Sequence, residues 1–456
     1  VMFCISNTKQ NTDNFHIDKY LVELISDCDY KELICYLPIL ISCLKYKTHS
    51  VISDKLIELS KDNLEFVSKL FWEITLQMEY ENYQDFYNIL RCKLTDRVSS
   101  EFKLVLKNTF YMVENLNEMS KNINNFNLHI RSYFSEYPNG ISCPVNPTIK
   151  LKNVKENGIK VKGSSSKPIS IKFETEDNRD YELLYKNDDI RKDLIIMNII
   201  RLIDIILKRE ENLDLNIITY GVLPISSTRG FIEIVKNAET LLSINKRKKF
   251  SILNFILENN TSKSVDEIRE VFTKSCAAYC ILSYILGIGD RHMENIMVKE
   301  TGEIFHIDFG FILGSDPKPM APEIRITDEM IDAMGGMESR YYQHFKDLCA
   351  KAFICLRRHI SIFQILFSDF SNANPPIDKK FTTEYIEKFI NEKFLVGEDM
   401  NNAKLYLINK ISSRTIGYSE TLIDLCHQAQ DDNSSIKNFT ESAKYLSSSI
   451  IGYFSS

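Results

Sequence analysis

The chain has 456 residues, 44% hydrophobic and 26% charged, with 56 basic against 62 acidic side chains and a formal net charge of −6. That length allows two or three globular domains. The mild acidity argues against broad nucleic-acid binding, which depends on neutralising phosphates, and any membrane contact must be local.

Eleven cysteines are scattered without metal-ligand spacing, and Cys276 and Cys280 have no matching second pair, which argues against a zinc site. Without a signal peptide, free cysteines in a reducing compartment are the plain reading. The most apolar stretch, LIIMNIIRLIDIIL from Leu194 to Leu207, is interrupted by Arg201 and Asp204 and does not read as a membrane span. The sequence starts at Val1 rather than Met, which suggests a piece of a longer protein.

Residues 15 to 95 read as helices, with apolar residues at three- and four-residue spacing and short polar breaks, compatible with a stacked solenoid. Residues 101–137 predict one long helix. YPNGISCPVNP, Tyr137 to Pro147, is a connector with three prolines. PISIKFE and DYELLY then predict strands around the turn TEDNR. DDIRKDLIIMNIIRLIDIILKRE predicts a helix with acidic residues in its first turn, and GFIEIV, Gly230 to Val235, a short buried strand. Ser264 and Glu267 have capping-box spacing before a helix whose apolar run SCAAYCILSYIL predicts burial. NIMVK and EIFHI predict a hairpin around Glu300, Thr301 and Gly302. Thr327 predicts a helix start and Gly335–Gly336 a stop. The serine-rich end reads as a tail.

A small strand-rich lobe followed by a larger helical one is the layout of a kinase. Between Leu286 and Gly310 lies LGIGDRHMENIMVKETGEIFHIDFG. Phosphoryl transfer needs metal ions bridging phosphates, a cation against the developing charge, and a group that orients or deprotonates the acceptor hydroxyl. Asn295 and Asp308 supply hard oxygens of the kind magnesium prefers, and the hairpin would bring them to one end. His292 suits a proton acceptor at neutral pH, and Asp290 could orient it or share its proton. Each residue alone means little; their order and context make the pattern specific.

This pattern, with KSCAAYCILSYIL before it and FILGSDPKPMAPEIRIT after it, resembles the catalytic core of phosphatidylinositol 3-kinases, most closely class III. The resemblance spans nearly the whole chain. YLPILISCLKY and LFWEI resemble the family's helical accessory domain, CPVNPTIKLKN the start of its small lobe, and LIDLCHQAQ its closing helices. It implies an α+β two-lobed kinase-like catalytic domain preceded by an all-α helical solenoid domain, without the family's amino-terminal C2 domain. The expected boundaries are residues 1–97 for the accessory domain, 98–236 for the small lobe, 237–430 for the large lobe and 431–456 for the tail.

By resemblance, Lys186 contacts the phosphates of ATP and Asp193 faces it. Ser164, Ser165 and Ser166 belong to the loop over the phosphates. Glu233, Ile234 and Val235 form the adenine hinge, and Tyr220 lies deeper in that pocket. Asp290, His292 and Lys186 are the implied catalytic groups, and Asn295 and Asp308 hold Mg2+ or Mn2+. One departure is visible: YKNDDIRKD is one residue shorter than the family pattern, and Lys192 stands where glutamine is usual, at a position expected to face solvent.

The segment after DFG bears on the lipid. From Phe309 to Ile326 the strong cations are Lys318 and Arg325, offset by Asp316 and Glu323. A headgroup with extra phosphates would need a basic cluster, so unphosphorylated phosphatidylinositol is favoured. The reaction implied is transfer of the γ-phosphate of ATP to its 3-hydroxyl. A phosphatidylinositol 4-kinase and a catalytically dead scaffold are the alternatives. The resemblance also implies a cytoplasmic enzyme, peripheral on endosomal or autophagic membranes, with a regulatory protein-kinase-like subunit and a coiled-coil scaffold as partners. INKRKKF, Ile244 to Phe250, reads first as a solvated loop and second as a contact for anionic lipid.

Overall fold

A computed structural model of the chain describes residues 22–44, 50–121, 123–163, 167–247, 251–318, 321–372 and 377–413. The chain divides into two compact units, one of Val1–Ile206, Thr219–Lys236 and His359–Ile390, the other of Leu207–Ile218, Asn237–Arg358 and Asn391–Ser456.

The first unit contains helices α1 (Tyr30–Leu44), α2 (Ser50–Ser60), α3 (Leu64–Gln77), α4 (Gln84–Arg97), α5 (Ser100–Ser120) and α6 (Ile123–Ser135). Asn63 caps α3 by accepting from the Phe66 N–H, and Ser99 caps α5 by accepting from that of Phe102. Such oxygens satisfy donors that a helix start leaves unpaired. The single helix expected over 101–137 is two helices. The run SKNINN at the break is rich in side chains that compete for backbone hydrogen bonds. On α3 the Glu73 carboxyl is buried and accepts from Gln77 Nε2 at 3.1 Å; burial pushes its pKa up to about 7.

Strands β1 (Ile141–Ser142), β2 (Lys150–Val161), β3 (Ile169–Thr175), β4 (Asp180–Lys186), β5 (Val222–Ser226) and β6 (Arg229–Glu233) form an antiparallel sheet in the order β1-β2-β3-β4-β6-β5. The two expected strands meet as β3 and β4, with Ile171 opposite Leu183 and Phe173 opposite Tyr181. Helix α7 (Arg191–Glu211) follows β4. The helices of this unit and its sheet share hydrogen bonds: Lys69 Nζ donates to the Val145 carbonyl at 2.9 Å, and the Tyr185 hydroxyl to Asn117 Oδ1 at 3.1 Å.

The second unit contains β7 (Ala238–Thr240), α8 (Leu241–Asn245), α9 (Ile252–Asn259) and α10 (Val265–Leu286). The capping box of Ser264 and Glu267 starts α10, and Gly287 ends it at φ 55°. The helix is buried from Ser275 to Leu286. Strands β8 (Ile296–Lys299) and β9 (Ile304–His306) form the expected hairpin, and β7 adds to its β8 edge, a pairing the sequence did not signal. Thr327 caps α11 (Asp328–Ala333), and Gly335 and Gly336, at φ 91° and 93°, follow its end. Helix α12 (Arg340–Arg357) packs on α10, where small Ala277 lets the Cys349 thiol donate to its carbonyl at 3.7 Å. Then come α13 (Ile360–Asn372), α14 (Thr383–Lys393) and α15 (Met400–Ser412); α13 lies in the first unit and α15 in the second.

The fold class is thus the expected one: a helical region, then a kinase-like domain of antiparallel sheet and helices. Among the described residues no helix is long and apolar enough to cross a membrane. The expected tail, 431–456, lies outside the described residues.

Candidate active site

The motif residues follow the buried end of α10. The three residues Gly287 to Gly289 lead from the helix, and their backbone runs beside the segment after DFG. Gly289 N–H donates to the Phe311 carbonyl at 3.0 Å, Leu313 N–H to Leu286 at 2.9 Å, and Gly314 N–H to Gly287 at 3.0 Å. A Cβ on Gly289 would lie 2.4 Å from the Ser315 carbonyl oxygen, so that approach admits only glycine.

Arg291 organises this loop. It is buried, and its guanidinium donates to four carbonyls: Gly289 at 2.7 Å, Asn295 at 3.4 Å, Ile307 at 2.7 Å, and Asp308. It thereby ties both motifs together, and its Cζ stands 5.8 Å from the centre of the buried Phe309 ring. Both motif aspartates sit in the left-handed region, Asp290 at φ 52° and Asp308 at φ 61°. Such conformations cost of order 1 kcal/mol and persist where surroundings over-determine them. Here Arg291 fixes the Asp308 carbonyl, and Asp316 Oδ2 accepts the Asp290 N–H at 2.8 Å.

The hairpin brings Asn295 and Asp308 together as expected, since Ile307 N–H donates to the Asn295 carbonyl at 3.1 Å. Asn295 Nδ2 donates to the Asp290 carbonyl at 3.0 Å, and its Oδ1 has no protein partner among the described residues. Asp308 is exposed, with Oδ1 accepting from Gly310 N–H at 3.2 Å. The pair presents a carboxamide oxygen and a carboxylate, a hard donor set that fits magnesium or manganese.

His292 is held at Nδ1. Nδ1 accepts from the Glu294 N–H at 3.2 Å, so the neutral ring carries its proton on Nε2, which lies 3.8 Å from Asp290 Oδ2. Lys318 Nζ lies 3.3 Å from Asp290 Oδ1. Below the loop, His306 is buried; burial first, then the charges of Arg291 and Arg325, hold its pKa well below the usual value, so it stays neutral.

The two carboxylates expected to offset the cations after DFG turn to the scaffold instead. Asp316 accepts the backbone N–H groups of Asp290 and Lys318, and Glu323 pairs with Lys393 and Lys410. Arg325 is half-buried.

In the first unit, Lys186 closes β4 opposite Gly230, its ammonium 3.8 Å from Asp188 Oδ2. Asp193 is buried in the first turn of α7. Tyr220 is buried, and its carbonyl accepts from Arg201 at 2.5 Å. Glu233 N–H donates to the Gly221 carbonyl at 2.8 Å and Ile234 N–H to that of Glu182 at 3.0 Å, while Val235 N–H has no partner among the described residues. Ser164, Ser165 and Ser166 lie outside the described residues, but Lys162 N–H donates to the Pro168 carbonyl at 2.9 Å and closes the base of their loop. The expectation that Lys192 faces solvent is overturned. Its ammonium lies 3.4 Å from Asp378 Oδ2 and 5.8 Å from the centre of the Phe381 ring.

Sequence reasoning missed Arg291 and read Asp316 and Glu323 only as offsets to the nearby cations. Arg291 stood inside the quoted motif, yet nothing in the sequence marks an arginine as buried.

Residues 180–376 match the family model described as phosphatidylinositol 3- and 4-kinase, and residues 9–107 that of the phosphoinositide 3-kinase accessory (PIK) domain. The chain is 28% identical over 445 residues to phosphatidylinositol 3-kinase pik3 of Schizosaccharomyces pombe, covering 90% of this chain and 55% of that protein. It is 35% identical over 293 residues to phosphatidylinositol 3-kinase VPS34 of Saccharomyces cerevisiae, covering 63% and 33%. With the Arabidopsis thaliana VPS34 it shares 29% over 398 residues, covering 78% and 48%. The chain spans about half the length of the first of these relatives and of the plant protein.

Proposed function

We propose that this chain, which carries a phosphatidylinositol 3- and 4-kinase domain behind a phosphoinositide 3-kinase accessory domain, is an ATP-dependent lipid kinase that phosphorylates the 3-hydroxyl of phosphatidylinositol. The observation that carries this reading is the loop in which Arg291 holds the Asn295 and Asp308 carbonyls and Asn295 Nδ2 holds the Asp290 carbonyl, so that the residues of both motifs share one hydrogen-bonded framework.

In the reaction, the bond from the γ-phosphorus to the β,γ-bridging oxygen of ATP breaks and a bond to the inositol O3 forms. The O3 proton passes to a base, and ADP leaves. Asn295 and Asp308 would hold Mg2+ or Mn2+, which neutralises phosphate charge when bound. Lys186 steadies the phosphates, and Asp193 supports that side. The backbone of Glu233, Ile234 and Val235 takes the adenine, with Tyr220 behind it and Ser164 to Ser166 over the phosphates.

Sequence alone favoured His292 as the base with Asp290 second; two contacts favour the reverse. The Glu294 N–H occupies Nδ1, so Nε2 of the neutral ring is a donor rather than an acceptor. Asp290 Oδ2 is 3.8 Å from that nitrogen and is acceptor-only when ionised. Asp290 then takes the proton and His292 orients it. Lys318, 3.3 Å from Asp290, and Arg325 supply positive charge for the headgroup phosphodiester.

The class III reading rests on ILGSDPKP. It extends to phosphatidylinositol 3-phosphate formed on endosomal or autophagic membranes, with a protein-kinase-like subunit and a coiled-coil scaffold as partners. A 4-kinase is the second reading, because the matching family model covers both activities.

The test is radiolabelled ATP with phosphatidylinositol vesicles, followed by identification of the phosphorylated position. A 3-phosphate lost in Asp308→Ala is expected. A 4-phosphate overturns the regiochemistry and keeps the metal pair; a lipid product retained in Asp308→Ala removes that residue from its role.

A further inference from the structure

The segment after DFG is fastened at two points. At its near end, Asp316 accepts the backbone N–H groups of Asp290 and Lys318, each at 2.8 Å. At its far end, Glu323 places one carboxylate oxygen on Lys393 of α14 and the other on Lys410 of α15. A cavity of about 260 Å³ lies between the described parts of this segment and the neck that joins α10 to Asp290, lined by Gly289, Asp316, Lys318, Pro322 and Lys393 among others.

The far fastening is set on the core. The Lys393 and Lys410 ammonium groups lie 4.9 Å and 6.0 Å from the centre of the Tyr284 ring, on the buried face of α10. The Lys393 side chain is only 9% exposed, so its charge depends on the carboxylate. Burial alone would raise the Glu323 pKa, but the two lysines outweigh it and hold the carboxyl below its usual value.

We propose that Glu323 is a positioning residue for the lipid substrate: by bridging Lys393 and Lys410 it fixes the far end of the loop that carries Lys318 and Arg325, and so sets KM for phosphatidylinositol. This rests on the lipid-kinase reading above. Glu323 touches neither nucleotide nor reacting atoms in this scheme, so its influence falls on lipid affinity.

The experiment uses the full chain with Glu323→Gln, Lys410→Gln and the double variant, assayed on phosphatidylinositol vesicles and by limited trypsin digestion. Each single variant is expected to raise the lipid KM about tenfold, with kcat at saturating lipid and KM for ATP within about twofold. Because the two residues act as a unit, the double variant should raise KM no further than the worse single variant. Trypsin should cut faster after Arg325 in the variants, since the Lys318 bond is protected by the proline that follows it. An unchanged lipid KM overturns the proposal even if stability falls, as does a raised KM with unchanged cleavage. If the unaltered chain phosphorylates no inositol lipid, the kinase reading itself falls and the lipid role goes with it. Digestion still reports separately whether the fastening exists.

Discussion

The two regions that carry the proposed chemistry are held by different physics. In the DRH–DFG region, most polar contacts close within Leu286 to Lys318: four carbonyls on Arg291, two backbone N–H groups on Asp316, and a backbone ladder beside the neck. Around Lys186 the supports come from far along the chain. Tyr185 reaches Asn117, Arg191 reaches the Tyr80 hydroxyl at 3.2 Å, and Lys186 itself meets only the exposed Asp188 carboxylate at 3.8 Å among the contacts described. A site built by local backbone geometry leaves a dense motif in the sequence. A site built by packing leaves scattered residues that look ordinary.

The comparison can be broken at its strongest point first. If the loop controls turnover, Asp290→Asn should lower kcat about a thousandfold and His292→Ala about tenfold, with KM for ATP within about twofold in both. A greater loss at His292 than at Asp290 in steady-state kinetics reverses the assignment of the base.

Next comes the brace. Arg291→Met removes a donor from four carbonyls, of which that of Asn295 keeps the Ile307 N–H, which should cost roughly 3 kcal/mol in chemical denaturation and about a hundredfold in turnover through misplaced groups. Near-unaltered stability and activity would show that the loop is held elsewhere.

The smallest effect sharpens the other side, where packing rather than local backbone sets the environment. The Glu73 pKa of about 7 lies above the ordinary 4.5, so the folded state holds its proton more tightly than the unfolded one. That contribution is fully present below about pH 4.5 and is lost as pH rises through about 7. Glu73→Gln should therefore gain stability over the unaltered chain on going from pH 5 to pH 8, by at most about 3 kcal/mol. Equal differences at both pH values in denaturant titrations would contradict the buried neutral carboxyl.

Much of the fold was legible. The capping box at Ser264, the hairpin around Gly302 and the start at Thr327 are local signals, and each appears where its chemistry requires. The added strand Ala238–Thr240 was not legible, because its pairing with β8 joins residues about sixty apart. Lys192 was misread for a similar reason: its partners, Asp378 and Phe381, are almost two hundred residues away. The directions of Asp316 and Glu323 were hidden too, since a charge count does not say which way a carboxylate turns.

By itself, then, the sequence determined the helical region, the strand-rich portion and the order of the chemical groups from Asp290 to Asp308. Those rest on short-range periodicity, turn chemistry and spacing, which act between near neighbours. Only the tertiary structure decided that Arg291 is a brace, that Nδ1 of His292 is occupied, and that Glu323 is clamped. The brace and the clamp depend on partners brought from other elements, Ile307 and Asp308 for Arg291 and Lys393 and Lys410 for Glu323, while the Nδ1 contact of His292 depends on the backbone course over two residues, which residue spacing does not display.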